Sequence, residues 1–101
     1  MPQETTIFRF HSDISMADVR TTLLLAQLAA ASLHGDDRVR LQAEATLDVK
    51  QRLCRIDTSR EVGQALALIF AGYVRREFGE KAVHITRTSS RSSQQLAEVV
   101  T

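Results

Sequence analysis

The sequence predicts a single domain of the α+β class, on three observations. Short runs rich in β-branched and aromatic residues predict strands at 5–11 and 82–88. Apolar residues recur at helical spacing over 16–34 and again over 59–78. Between these two helices, apolar and polar residues alternate strictly over 39–50, which predicts a further stretch of sheet.

The chain is long enough to bury one core and carries almost no net charge. Of its 101 residues, 44% are hydrophobic and 25% are charged, and the formal net charge is +1. These values are ordinary for a globular domain, and the net charge attracts no polyanionic partner by itself. Cys54 is the only cysteine, which excludes an intramolecular disulfide. We therefore expect a reducing, cytoplasmic setting.

The first predicted strand, 5–11, has two different sides. Phe8 and Phe10 fall on one side, whereas Arg9 and His11 fall on the other. We expect the two phenylalanines to lie in the core and the polar side to face away from it.

The first predicted helix spans 16–34. Ser15 and Asp18 have the spacing of an N-terminal cap, and Gly35 offers a left-handed stop. The apolar run over 21–33 is shorter than the roughly 20 residues that cross a bilayer. We therefore predict a core helix and no membrane segment.

Residues 39–57 are predicted to form a β-hairpin. The alternation over 39–50 changes parity after Lys50, as expected where a hairpin turns. We place the tight connection at 48–51 and the next strand at 52–57. A helix is the alternative for this region, because its glutamine, alanine, glutamate, leucine and lysine residues favour helix.

The second predicted helix, 59–78, has the clearest boundaries. Thr58 and Glu61 have the spacing of a capping box, and Gly79 offers a stop. The last strand, at 82–88, follows directly.

The resulting order, β-α-β-β-α-β, is that of the ferredoxin-like fold. We predict an α+β, ferredoxin-like two-layer sandwich over 1–88, with two helices on one face of an antiparallel sheet and the other face open. Residues 89–101 are predicted to be a Ser-rich linker and a short C-terminal tail. Leu96, Val99 and Val100 in this tail have the spacing of one apolar helical turn.

No pattern in the sequence predicts catalysis, a metal or a cofactor. His34, Asp36 and Asp37 lie where a helix is predicted to end, and we interpret them as turn residues and not as metal ligands. Cys54 is interpreted as a small core residue. Phosphate-binding glycine loops and nucleophile elbows are absent from the sequence. We expect that the protein is not an enzyme.

The candidate partner-binding residues lie on the predicted open sheet face and in the tail. Strand side chains that point away from the helices are free to contact a partner, and the tail adds apolar side chains. The candidates are Arg9, His11, Arg40, Arg55, His84, Leu96, Val99 and Val100.

Four stretches of the second half, 56–63, 69–73, 76–80 and 83–85, resemble the C-terminal part of small uncharacterised proteins of Mu-like transposable bacteriophages and related mobile elements. The resemblance covers about a third of the chain and rests on helix and turn residues. It implies a phage or prophage setting in a bacterial cytoplasm. Small accessory proteins of this kind often bind a host or phage protein, but the resemblance assigns no functional residue.

These observations predict a non-enzymatic protein-interaction module, a small accessory protein that binds and modulates another protein or forms a homodimer. The alternative is a single-stranded nucleic-acid-binding protein that uses the open sheet face, with Arg9, Arg40 and Arg55 as contacts. A third hypothesis is a small-ligand or catalytic site around His11 and His84.

Overall fold

A computed structural model describes residues 3–89 and has an α+β fold. Its elements follow in the order β1 (Glu4–Phe10), α1 (Met16–His34), α2 (Asp36–Gln42), β2 (Ala45–Asp48), β3 (Leu53–Asp57), α3 (Glu61–Phe78) and β4 (Val83–Ser89). A single 3-10 turn, Glu80–Ala82, precedes β4. The predicted α+β class is confirmed, and the structure adds helix α2 to the predicted elements.

The four strands form one antiparallel sheet in the order β2-β3-β1-β4. The central strand β1 pairs with β3 on one side and with β4 on the other. Phe8 therefore lies opposite Cys54 and Ile85, and the next residue of β1 points to the other face. The sheet edges are β2 and β4.

The core lies between one face of the sheet and helices α1 and α3. The ring of Phe70 in α3 meets Phe8 edge to face, with a centroid distance of 4.8 Å and an interplanar angle of 72°. Its centroid is also 6.3 Å from that of Phe10. The expectation that both β1 phenylalanines are core residues is thus confirmed. Other fully buried members of this core are Val19, Cys54, Ile56, Val62, Leu66 and Val74.

The predicted boundaries of the first helix are confirmed. Ser15 caps α1, with its Oγ accepting a hydrogen bond from the backbone N–H of Asp18 at 3.4 Å. Gly35 follows the last residue of the helix and has a φ of 90°, a left-handed conformation that glycine adopts without steric cost.

The strand predicted over 39–50 is wrong in its first half, because α2 occupies residues 36–42 and β2 begins only at Ala45. In α2, Val39 is buried against the core, whereas Leu41 is 81% exposed. The alternation of apolar and polar residues over 39–42 therefore does not correspond to a buried and an exposed face of a strand. Acidic residues in the first turn of α2 suit the positive end of the helix dipole. The predicted hairpin connection and third strand are confirmed as a turn at 49–52 and β3.

The capping box predicted at Thr58 and Glu61 does not form. Arg60 is the N-cap of α3, and it makes no side-chain capping hydrogen bond. The Thr58 hydroxyl is buried instead, 3.0 Å from the hydroxyl of Thr6, and it donates to Oε1 of Glu4 at 3.3 Å. Thr58 therefore joins the start of α3 to β1, and the helix begins two residues later than predicted. Its predicted end at Phe78 is confirmed.

Gly63 allows α3 to approach the end of β3 closely. A Cβ atom at this position would overlap the carbonyl oxygen of Asp57, and it would lie 3.3 Å from the carbonyl oxygen of Gln42 in α2. Both neighbours are backbone atoms, which cannot rotate away as a flexible side chain would. Gly63 is therefore required by the contact between α3, β3 and α2.

We expect Gly63→Ala to lower the free energy of unfolding by about 3 kcal/mol, because the added methyl group forces the backbone of β3 away from α3. The matched control is Gly72→Ala in the same helix, where no atom lies within 4 Å of the added Cβ. That substitution should raise the free energy of unfolding by about 0.5–1 kcal/mol, since alanine favours helix over glycine. Urea denaturation of the three proteins measures both effects. Equal stability of the two variants would contradict the close approach.

Candidate protein-interaction surface

Helix α1 is apolar on nearly all sides. Its sequence contains no charged residue over 21–33. A helix of this kind is normally covered on every side, because no face is suited to water. In the structure, Val19, Leu23 and Ala26 are buried on the side that faces the sheet. The opposite side of α1 has no cover within the described part of the chain.

Three leucines of α1 form an exposed apolar patch, which we call the leucine surface: Leu24, Leu25 and Leu28. Their exposed fractions are 55%, 53% and 64%. Single exposed leucines are common on protein surfaces, but a contiguous apolar patch marks an interaction site. The leucine surface was not among the sequence-predicted sites, because the whole apolar run over 21–33 was assigned to the core. The absence of any charge over 21–33 was the signal that could have revealed it.

A groove of about 530 Å³ runs beside the leucine surface, between α1 and the segment that contains α2 and the start of β2. Its apolar walls include Leu24, Leu28 and Ala31 on one side and Val39 and Ala45 on the other. Because β2 is a sheet edge, this groove lies at the border of the domain.

Three charged residues, Asp36, Arg40 and Glu44, also line the groove. Two are acidic and one is basic, so the groove carries a local excess of negative charge. Arg40 was predicted to lie on the open sheet face together with Arg9 and Arg55. The structure instead places it in α2, which packs with the helices, because residues 36–42 are helical.

The face of the sheet opposite the helices brings together three of the predicted candidates. Arg9 lies directly opposite His84, and Ile7 lies opposite Arg55. Side chains at directly opposed positions of antiparallel strands point to the same face. Arg9, Arg55 and His84 therefore share this face, as the sequence predicted.

The predicted candidate His11 follows β1, and its backbone N–H donates to the carbonyl oxygen of Ala82 at 2.9 Å. Together with Arg9, Lys81 and His84 it lines a shallow depression of about 340 Å³, and we call these four residues the basic corner. The Nδ1 atom of His11 lies 3.4 Å from Oδ2 of Asp13, but both side chains are largely exposed. The remaining candidates, Leu96, Val99 and Val100, lie outside the described residues.

Arg52 fixes the position of the loop that carries His11. Its Nη2 donates to the carbonyl oxygens of His11, at 2.7 Å, and of Ile14. In the other direction, the backbone N–H of Phe10 donates to the carbonyl oxygen of Arg52 at 2.9 Å. Arg52 itself has a φ of 57°, which places its backbone in the left-handed region at the end of the hairpin turn. The guanidinium group thus ties the β2–β3 turn to the β1–α1 loop.

A second pocket, of about 450 Å³, lies between α3 and β4. Its polar groups contact one another: Glu4 accepts from Thr58 and also lies 3.7 Å from Nε of Arg87. At its rim, Leu68 of α3 is 76% exposed but is not part of the leucine surface. This leucine therefore offers a matched control for substitutions in α1.

Residues 3–89 bring no three His, Cys, Asp or Glu side chains together in a group that could hold a metal ion. Among the helices in the same range, none has the length and hydropathy needed to cross a bilayer. Comparisons with protein-family models, with curated proteins and with solved structures return no match to the chain.

Cys54 is the second residue of β3 and has no exposed surface. Burial raises the pKa of its thiol from 9.0 to about 12, because the charged thiolate loses its hydration. A thiol with this pKa is a poor nucleophile at neutral pH. The interpretation of Cys54 as a core residue is confirmed.

Native Cys54 should resist alkylation by iodoacetamide at neutral pH, and it should react readily once urea unfolds the chain. The folded state holds the thiol proton to a higher pH than the unfolded chain does. The stability that comes from this proton is therefore complete below pH 9 and falls as the pH rises toward 12. Relative to Cys54→Ala, the wild-type free energy of unfolding should fall over that range. Rapid, stoichiometric alkylation of the native protein would show that Cys54 is accessible.

Proposed function

We propose that this chain is a non-enzymatic protein-interaction module that binds protein through the leucine surface. The observation that supports this is the exposure of more than half of each of Leu24, Leu25 and Leu28, on a helix with no charged residue over 21–33. Helix α1 presents to water a face that is suited to contact with another apolar surface.

The energetics of burial agree with this proposal. Full burial of a leucine side chain is worth about 1.5–3 kcal/mol, so covering these half-exposed side chains contributes roughly 1 kcal/mol each. The adjacent groove adds further apolar area from both its walls. Because the leucines are held on a folded helix, this chain loses little conformational entropy when a partner binds.

For the fold we propose a ferredoxin-like two-layer sandwich with α2 as an added helix. The strand order β2-β3-β1-β4, with β1 antiparallel to both of its neighbours, supports this assignment. For the biological setting we propose a small accessory protein of a phage or mobile element that acts in a bacterial cytoplasm and modulates the protein it binds. The support for this setting is the sequence resemblance over 56–63, 69–73, 76–80 and 83–85.

Affinity capture from a bacterial lysate, followed by cross-linking and mass spectrometry, tests the binding role. We expect the wild-type chain to cross-link to protein through α1, whether to a bacterial protein or to itself. Leu28→Glu should abolish these cross-links, because burying an unpaired carboxylate opposes binding. The control Leu68→Glu adds the same charge to a leucine of similar exposure on α3 and should keep them. Identical cross-links from all three chains would refute the leucine surface as the binding site.

Single-stranded nucleic acid is a second candidate partner, and the basic corner is the observation that favours it. Arg9, His11, Lys81 and His84 lie together at one end of the sheet, with Arg55 on the neighbouring strand. Basic side chains grouped in this way bind phosphate groups. The phenylalanines of β1 are buried on the other face, so binding here would depend on charge and not on stacking with Phe8 or Phe10.

The double substitution Arg9→Ala with Lys81→Ala should weaken binding to a mixed-sequence single-stranded oligonucleotide by about tenfold at low salt. It should also lower the slope of log affinity against log salt by about 1.4, about 0.7 for each lost phosphate contact with a single strand. Arg38→Ala is the control, because it removes an exposed arginine from α2. Fluorescence anisotropy at several salt concentrations measures both quantities. Undetectable binding of the wild-type chain at low salt would remove this candidate.

A further inference from the structure

We propose that the partner on the leucine surface is a second copy of this chain, with the two α1 helices packed antiparallel about a two-fold axis at Leu28. This inference rests on the proposed function, because it names the protein that covers the same surface. The position of the axis and the antiparallel orientation follow from residues of α1 and α2.

The distribution of large and small residues along α1 favours an antiparallel pair. Along the leucine surface, the large residues Leu24 and Leu25 precede Leu28, whereas the small residues Ala31 and Ser32 follow it. Leu33 is 74% exposed, but it lies about 140° around the helix from Leu28 and so is not part of this surface. An antiparallel copy centred on Leu28 places the large half of each helix over the small half of the other. Large side chains opposite small ones interdigitate well. A parallel pair would instead set leucine against leucine at one end and leave a gap at the other.

The groove between α1 and α2 lies on the side of α1 where the antiparallel pair needs room for the partner's Leu24. Leu24 and Ala31 of α1 line it together with Asp36 of α2, so all three lie on the same side of α1. A two-fold axis perpendicular to both helices keeps the groove sides of the two copies together. Leu24 of one copy therefore enters the partner's groove beside Ala31, while Leu28 packs against Leu28 at the axis.

The charges at the two ends of the patch are complementary in this orientation. Arg20 lies eight residues before Leu28 and is exposed, and Asp36 lies eight residues after it, in the groove. An antiparallel pair brings the Arg20 guanidinium of one copy to the Asp36 carboxylate of the other, and symmetry repeats the contact. The excess of acidic residues in the groove adds to this attraction. A parallel pair would place like charges together at both ends.

Sedimentation equilibrium on the full chain tests the inference. We expect a wild-type mass of about twice 11.3 kDa at micromolar concentration. Leu28→Glu should weaken the dimer at least about 100-fold, because it places two carboxylates together at the axis. Leu68→Glu should leave the dimer unchanged. Leu28 is exposed in the single chain, so its variant should fold, and circular dichroism verifies this.

A charge reversal tests the orientation independently of the leucines. Arg20→Asp should weaken the dimer about tenfold, and adding Asp36→Arg in the same chain should restore wild-type affinity. Failure of the second substitution to restore the dimer would overturn the antiparallel arrangement. A heterologous partner would not produce this rescue, because the two charges would then face residues of another protein.

The outcomes separate this inference from the proposed function. A wild-type chain that is monomeric at all concentrations overturns the dimer. If such a monomer still forms cross-links to other proteins that depend on Leu28, the proposed function stands and only the identity of the partner was wrong. A dimer that persists in Leu28→Glu overturns the inference, since self-association then uses another surface.

Discussion

The contact of Phe70 with Phe8 and Phe10 is the packing interaction on which the rest of this fold depends. It seats α3 over the central strand of the sheet, and α1 then packs beside α3 on the same face. With the sheet below it and α3 next to it, α1 still has an outer side that the described chain does not cover. The leucine surface follows from this geometry, because the sheet, α2 and α3 together cover only part of the circumference of α1.

Two sets of side-chain hydrogen bonds complete the packing of β1, one at each end of the strand. At its start, Glu4 and Thr6 bond to Thr58 and so hold the beginning of α3. At its other end, the Arg52 side chain holds the carbonyl oxygens of the loop that leads into α1. For one of these residues the sequence indicated another role, because Thr58 has the spacing of a helix cap.

Local periodicity and capping residues were sufficient to predict most of the elements. The apolar residues at helical spacing in α1 are bounded by the N-cap Ser15 and by Gly35, and Gly79 follows the last residue of α3. The first half of 39–50 was predicted wrongly because one buried residue, Val39, and one exposed residue, Leu41, imitate the alternation of a strand. The lack of charge over 21–33 indicated that α1 is apolar on more than one side, but periodicity alone does not identify which of these sides the remaining chain covers.

Gly63 has an evolutionary consequence. The backbone of Asp57 occupies the space that any side chain at position 63 would need, so every other amino acid is excluded while α3, β3 and α2 keep this contact. Surface leucines and arginines can change along a lineage as partners change, but this glycine cannot without a shift of the helix. Distant relatives that share the fold should therefore retain a glycine six residues after the end of the third strand, even where nothing else in their sequences remains alike.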